Sequence, residues 1–156
     1  MKNFCGQFFI SAPTLDDPNF LRSVIFIIAH DEDGAMGYVM NKRHGRAFNE
    51  LTEFKHAKPL LLYNGGPVET DQLFFIHRRA DIIPSGDLVA GDVYAGGDFK
   101  KAVELLNNGA LTEKDIRLFI GYCGWDAGEL EAEIEEGSWL KVDADPFKEM
   151  PWEGFI

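Results

Sequence analysis

The run SVIFIIAH, residues 23–30, constrains this chain more than any other stretch. Successive side chains of a strand point to opposite faces, and here both faces are apolar. Such a strand is stable only when covered on both sides, which places it in the middle of a fold. DEDG follows, with Asp33-Gly34 as a turn signal, and AMGYVMNK then returns as a partner strand. A buried hairpin is therefore the expected centre of the structure.

The remaining segments arrange themselves around it. GQFFIS reads as a preceding strand. SAPTLDDPNF reads as a loop, because Pro13 and Pro18 bar regular structure. Phe48, Leu51 and Phe54 in AFNELTEF suggest a short helix. PLLLY, QLFFIH and DLVAGDVYAGG read as three strands. Asp98 is placed to cap a helix over FKKAVELLNNG, with Phe99, Ala102, Val103 and Leu106 on one face and Gly109 as its stop. DIRLFIGY reads as a strand, DAGELEAEIEEG as a helix and SWLKVDA as a closing strand. The aromatic residues of PFKEMPWEGFI are expected to dock on the body. There is no internal repeat and no linker, so residues 1–156 read as one α+β domain.

Composition narrows the function. Of the 156 residues, 46% are hydrophobic, enough for a single core. The formal net charge is −11, and the acidity is concentrated late in the chain. Up to Lys101 there are 11 basic and 13 acidic residues; beyond it there are 4 and 13. Such a surface repels phosphate backbones and disfavours direct nucleic-acid binding. The pairs Lys42-Arg43, Arg78-Arg79 and Lys100-Lys101 read as solvated turn residues. No apolar run approaches the roughly 18 residues of a membrane span, and MKNFCGQFF lacks the pattern of a secretory signal. The expected compartment is the cytoplasm, with Cys5 and Cys123 reduced. Without a Cys-x-x-Cys pair, no structural zinc site is expected.

The stretch GYCGWDAGELEAEI invites three readings: an anion loop, a nucleophile, or a joint. It lacks the Lys-Ser/Thr of a Walker loop, and Gly121, Gly124 and Gly128 miss the dinucleotide spacing. Asp126 and Glu129 suit reciprocal capping of a helix start, so the stretch reads as a strand-to-helix joint. Cys123 stands before that helix among carboxylates and reads as a buried, inert thiol. HDEDG reads as a turn and not a cation loop. Gly65-Gly66 reads as a tight turn, or else as exposed amides facing a ligand, with Asp71 and His77 following. Arg22 is expected to pair with Asp16 or Asp17, or to hold an anionic ligand. No residue is assigned as catalytic, as a metal ligand or as a cofactor contact. A candidate pocket instead gathers Arg22, Asn41, Gly65, Gly66, His77, Tyr122, Cys123 and Trp125, which lie at strand ends and turns. It requires that these residues converge.

Three ordered motifs carry a family resemblance. The first is Pro13, Leu15, Asp17, Pro18, Phe20, Arg22 and Ser23; the second is the turn Gly65-Gly66-Pro67-Val68; the third is Gly121-Tyr122-Cys123-Gly124-Trp125 before LEAEI. Over about residues 6–142 the chain resembles the YqgE/AlgH family of bacterial proteins. The resemblance implies an α+β fold of coiled and bifurcated, mostly antiparallel sheets packed around two or three helices. It supplies no catalytic residue and no cofactor. Some members carry the label of transcriptional regulator. The resulting expectation is a non-enzymatic regulatory or interaction protein, acting indirectly on transcription, with no membrane contact. The alternative is an enzyme or small-ligand binder with its pocket at the Gly-Gly-Pro turn and the Gly-Tyr-Cys-Gly-Trp corner. The partner, protein or small molecule, and the oligomeric state are left open.

Overall fold

The computed structural model describes residues 3–156. In chain order the strands β1 (Phe8–Ser11), β2 (Val24–Asp31), β3 (Gly34–Val39), β4 (Arg43–Ala47), β5 (Leu61–Asn64), β6 (Val68–His77), β7 (Asp87–Ala90) and β8 (Val93–Ala95) come first. Helix α1 (Phe99–Asn107), strand β9 (Ile116–Asp126), helix α2 (Glu129–Glu135) and strand β10 (Trp139–Val142) complete the chain. The strands form one sheet in the order β10-β1-β2-β3-β9-β6-β8-β7, with β5 and then β4 branching from β9. Among the described residues only the β5–β9 pairing is parallel. The fold is α+β.

The central hairpin forms as its residues require. Ile25, Ile27 and Val24 are fully buried, and Asp31 faces Gly34 across a two-residue turn. The Asp31 carboxylate accepts from the Asp33 amide at 2.8 Å, which fixes that turn. Three apolar clusters then occupy three positions. One, containing Phe8, Phe26, Tyr38, Phe119, Phe147 and Trp152, fills the inside of the coiled sheet. A second lies under α1 and includes Phe48, Leu62, Ile116 and Leu118. A third lies under α2 and includes Phe9, Ile25, Val39, Cys123 and Trp125.

Strand β9 joins all three. Ile116 and Leu118 face α1, Phe119 faces inward, and beyond Gly121 it is Tyr122 that packs inward and Cys123 and Trp125 that face α2. Strict alternation would have kept Phe119 and Cys123 on one face. Gly121 has φ +76° and slips the phase by one residue, as a glycine bulge does. The sheet forks at the same place. One edge of β9 pairs with β5 through Leu118–Ile120 and with β3 through Cys123–Asp126.

Four expectations are corrected. Gly121 to Trp125 lie inside β9, so the joint to α2 falls at Ala127-Gly128, and Gly128, with φ +80°, is its N-cap in place of Asp126. Only the returning half of the capping box exists, with the Asp126 amide donating to Glu129 at 2.5 Å. AFNELTEF forms two 3-10 turns, Phe48–Glu50 and Thr52–Phe54, separated by an extended Leu51. DLVAGDVYAGG is a hairpin, β7 and β8, because Gly91 turns at φ +56°. The α1 cap is as the sequence suggests: Asp98 accepts from the Lys101 amide at 3.0 Å, and Gly109 ends the segment at φ +85°. The tail docks by its aromatics, with the Trp152 indole donating to the Ser11 carbonyl at 2.9 Å.

Candidate functional site

The fork in the sheet is where Gly65, Gly66, Tyr122 and Cys123 gather. Gly65 fills the gap between the departing strands. Its amide donates to Ile120 of β9 at 2.8 Å, and its carbonyl accepts from Val39 of β3 at 2.8 Å. The Cys123 thiol donates to the same carbonyl at 3.4 Å. The backbones meet so closely that no side chain fits. A Cβ on Gly65 would lie 2.4 Å from the Gly121 carbonyl oxygen, one on Gly121 would lie 2.4 Å from that of Gly66, and one on Gly66 would lie 2.2 Å from Tyr122. Glycine is required here by close approach.

Asn41, just beyond β3, ties the start of β2 to the loop before it. Its side-chain oxygen accepts from the Val24 amide at 2.9 Å, and its amide nitrogen donates to the Arg22 carbonyl at 3.0 Å. This clamp holds Arg22 in the left-handed region, at φ +50°. Arg22 makes no ion pair with Asp16 or Asp17; its guanidinium lies 5.9 Å from the centre of the Trp152 ring, a cation–π contact. Beside it, the Lys42 ammonium donates to the Leu21 carbonyl at 2.9 Å.

Trp125 anchors the first motif to the third. Phe20 stacks on Trp125 with centroids 6.3 Å apart and meets Trp139 edge-on at 5.4 Å. Both indoles donate to one oxygen of Glu133, at 3.2 and 3.0 Å. Glu133 stands in the glutamate-rich run ELEAEIEE, and nothing in that run singles it out. The three motifs are thus parts of one joint: Phe20 meets Trp125, and Gly66 meets Gly121 and Tyr122.

His77 lies elsewhere. It pairs with Ile116 at the far end of β9, about 20 Å from Tyr122 at the ordinary strand rise. Both ring nitrogens are engaged: Nε2 bonds the Gly96 carbonyl at 3.1 Å, and Nδ1 accepts from the Arg79 amide at 3.1 Å. The ring is stacked between Phe75 and Tyr94. Burial lowers its pKa from 6.5, against smaller opposing effects of the Gly96 hydrogen bond and Asp81. Cys123 is wholly buried, and burial pushes its thiol up to about 12, so it is a packing residue at neutral pH. The arginines of the basic pairs are occupied: Arg43 meets Glu149 at 2.5 Å, Arg78 meets Asp115 at 3.2 Å, and Arg79 meets Asp81 at 2.9 Å. Among the described residues no cluster of His, Cys, Asp and Glu could hold a metal ion. Nor is any described helix long and apolar enough to cross a membrane.

What the fork leaves open is a surface groove of about 450 Å³, lined by Pro18, Asn19, Leu21, Val39, Lys42, Asn64, Gly66 and Pro67. Leu21 is 48% exposed and Val68, next to Pro67, is 36% exposed. Lys42, Leu21 and Pro67 were not among the candidates drawn from sequence. Leu21 and Pro67 lie within the motif stretches, so position in the motif was the available signal.

The AlgH-like family matches residues 8–151 of the chain. A protein named UPF0301 from Chlorobium luteolum is 37% identical over 141 residues, 90% of this chain and 75% of that one. One of the same name from Bacteroides thetaiotaomicron is 39% identical, over 86% of this chain and 69% of that one. The solution structure of the AlgH protein from Pseudomonas aeruginosa superposes with a TM-score of 0.76 at 34% identity, covering 97% of this chain and 85% of the other.

Proposed function

The chain belongs to the AlgH-like family, and on that premise we propose that it is a non-enzymatic interaction protein of the cytoplasm. Its docking surface is the groove at the sheet fork, and any effect on transcription is indirect, through the protein bound there. One observation carries this reading: the first two motif stretches line a single groove with exposed apolar walls, and the third packs against both of them, through Phe20 and Gly66. The groups that chemistry would use lie apart from it or are engaged. Cys123 is sealed behind Gly65, and His77 sits at the other end of β9. The acidic surface and the paired arginines weigh against DNA as the partner.

A second reading, a small-ligand site, draws on the groove volume, which falls in the range of about 300–1,000 Å³ usual for such sites. Photo-crosslinking in the producing cell separates the two. A benzoylphenylalanine placed at Leu21 should give one protein adduct identifiable by mass spectrometry, and one at Leu88, exposed on β7, should not. A small-molecule mass retained in native mass spectrometry, without an adduct, would favour the ligand reading. A sequence-specific shift of promoter DNA at physiological ionic strength would contradict both.

A further inference from the structure

We propose that the groove accepts an acidic peptide segment of a partner protein, with a carboxylate at Arg22 and Lys42 and an apolar residue against Leu21 and Pro67. The inference rests on the interaction reading above and adds the chemistry of what binds.

The chain carries a net charge of −11, yet neither Arg22 nor Lys42 has a carboxylate within ion-pair distance among the described residues. The two cations are close enough to repel. Partial burial is the first cause of the lowered Lys42 pKa; Glu153 opposes it, and the Arg22 charge adds a smaller lowering effect. A carboxylate bound between them is attracted by both charges. The arrangement is also held in advance of binding. Asn41 clamps the left-handed Arg22, Trp152 supports its guanidinium, and the Leu21 carbonyl fixes the Lys42 ammonium. Left-handed backbone at a non-glycine residue is unfavourable and persists only where surroundings enforce it. Leu21, beside Arg22, is thereby turned outward, 48% exposed.

The tail supplies an internal competitor. Glu153 faces Lys42 and raises its pKa, without reaching ion-pair distance. A ligand carboxylate competes with this interaction, so removal of Glu153 should tighten binding. Apolar contact alone does not explain a groove lined by Lys42, without an ion-pair partner and with the Arg22 charge acting on it, and a free anion does not explain its apolar walls.

The test is a two-dimensional NMR titration of the ¹⁵N-labelled full chain with two hexapeptides. One is acetyl-Leu-Glu-Leu-Asp-Leu-Glu-amide; the other replaces each acid by its amide. The acidic peptide should shift the amides of Leu21, Lys42, Asn64 and Gly66 saturably. The neutral peptide, and the acidic peptide on Lys42→Gln, should bind about fivefold more weakly, while Glu153→Gln should bind it about twofold more tightly. Arg22→Asn, which tolerates the left-handed backbone, should weaken binding as Lys42→Gln does. Scattered or absent shifts, equal binding of the neutral peptide, or full competition by equimolar inorganic phosphate would each overturn the inference. So would sedimentation showing that Lys42 instead holds a second copy of the chain. A crosslinked partner at Leu21 without an acidic contact segment would sink this inference and leave the interaction reading standing.

Discussion

The two halves of β9 make an instructive contrast. From Ile116 to Ile120 the strand runs between β5 and β6 and turns Ile116 and Leu118 toward α1. From Cys123 to Asp126 it takes β3 as its neighbour and turns Cys123 and Trp125 toward α2. The two helices therefore cover different stretches of one strand, with Gly121 between them. A single residue at positive φ changes which side chains face out, and so changes which helix the strand can hold. The fork and its groove are a by-product of that change.

The largest effect should separate two glycines three residues apart. Gly121→Ala forces a Cβ against the Gly66 carbonyl at φ +76°, and should lower stability by about 3 kcal/mol or more in urea unfolding. At Gly124 a Cβ meets only the Tyr122 ring at 3.5 Å, so Gly124→Ala should change stability by less than about 0.5 kcal/mol. Equal effects would break the contrast.

Next comes the α2 half's anchor. Glu133→Ala strips the shared acceptor from two buried indoles and should destabilise by about 2 kcal/mol, and Glu133→Gln, which keeps an acceptor, by less than about 1. The helix starts then sharpen the comparison. Asp98→Ala should remove about 1 kcal/mol, because the side chain caps α1. Asp126→Ala should fall within about 0.5 kcal/mol, because that side chain caps nothing.

The smallest effect is one of pH, at the α1 end of β9. The folded pKa of His77 is depressed by burial, so below the ordinary value of 6.5 the unfolded chain binds the extra proton first. Stability should therefore decline as pH falls from 6.5 toward the folded value. In His77→Gln that contribution should disappear from urea midpoints measured between pH 7.5 and 5.

Much of this was legible from sequence where the cause is local. The central hairpin follows from apolar residues on both faces and an Asp-Gly turn, and α1 from a cap and a stop. The 3-10 turns were misread because Phe48, Leu51 and Phe54 repeat every three residues, the period of a 3-10 helix. Gly121 was misread because its role is set by the Gly66 backbone, distant in sequence. Gly65 and Gly66 meet Tyr122 and Cys123, and Asn41 meets Arg22. His77 meets none of these, because strand register, invisible in the chain, carries it to the far end of β9.

The central claim is that the three motifs form one joint belonging to the core, with the groove on its outer side. Amide hydrogen exchange tests this most directly, at Val39 and Gly65, whose hydrogen bonds close the fork. The account predicts that both open with the same free energy as Ile27 in β2, at the level of global unfolding. Exchange at Val39 and Gly65 by an opening several kcal/mol easier than that of Ile27 would contradict it, and would make the fork a loop resting on the sheet.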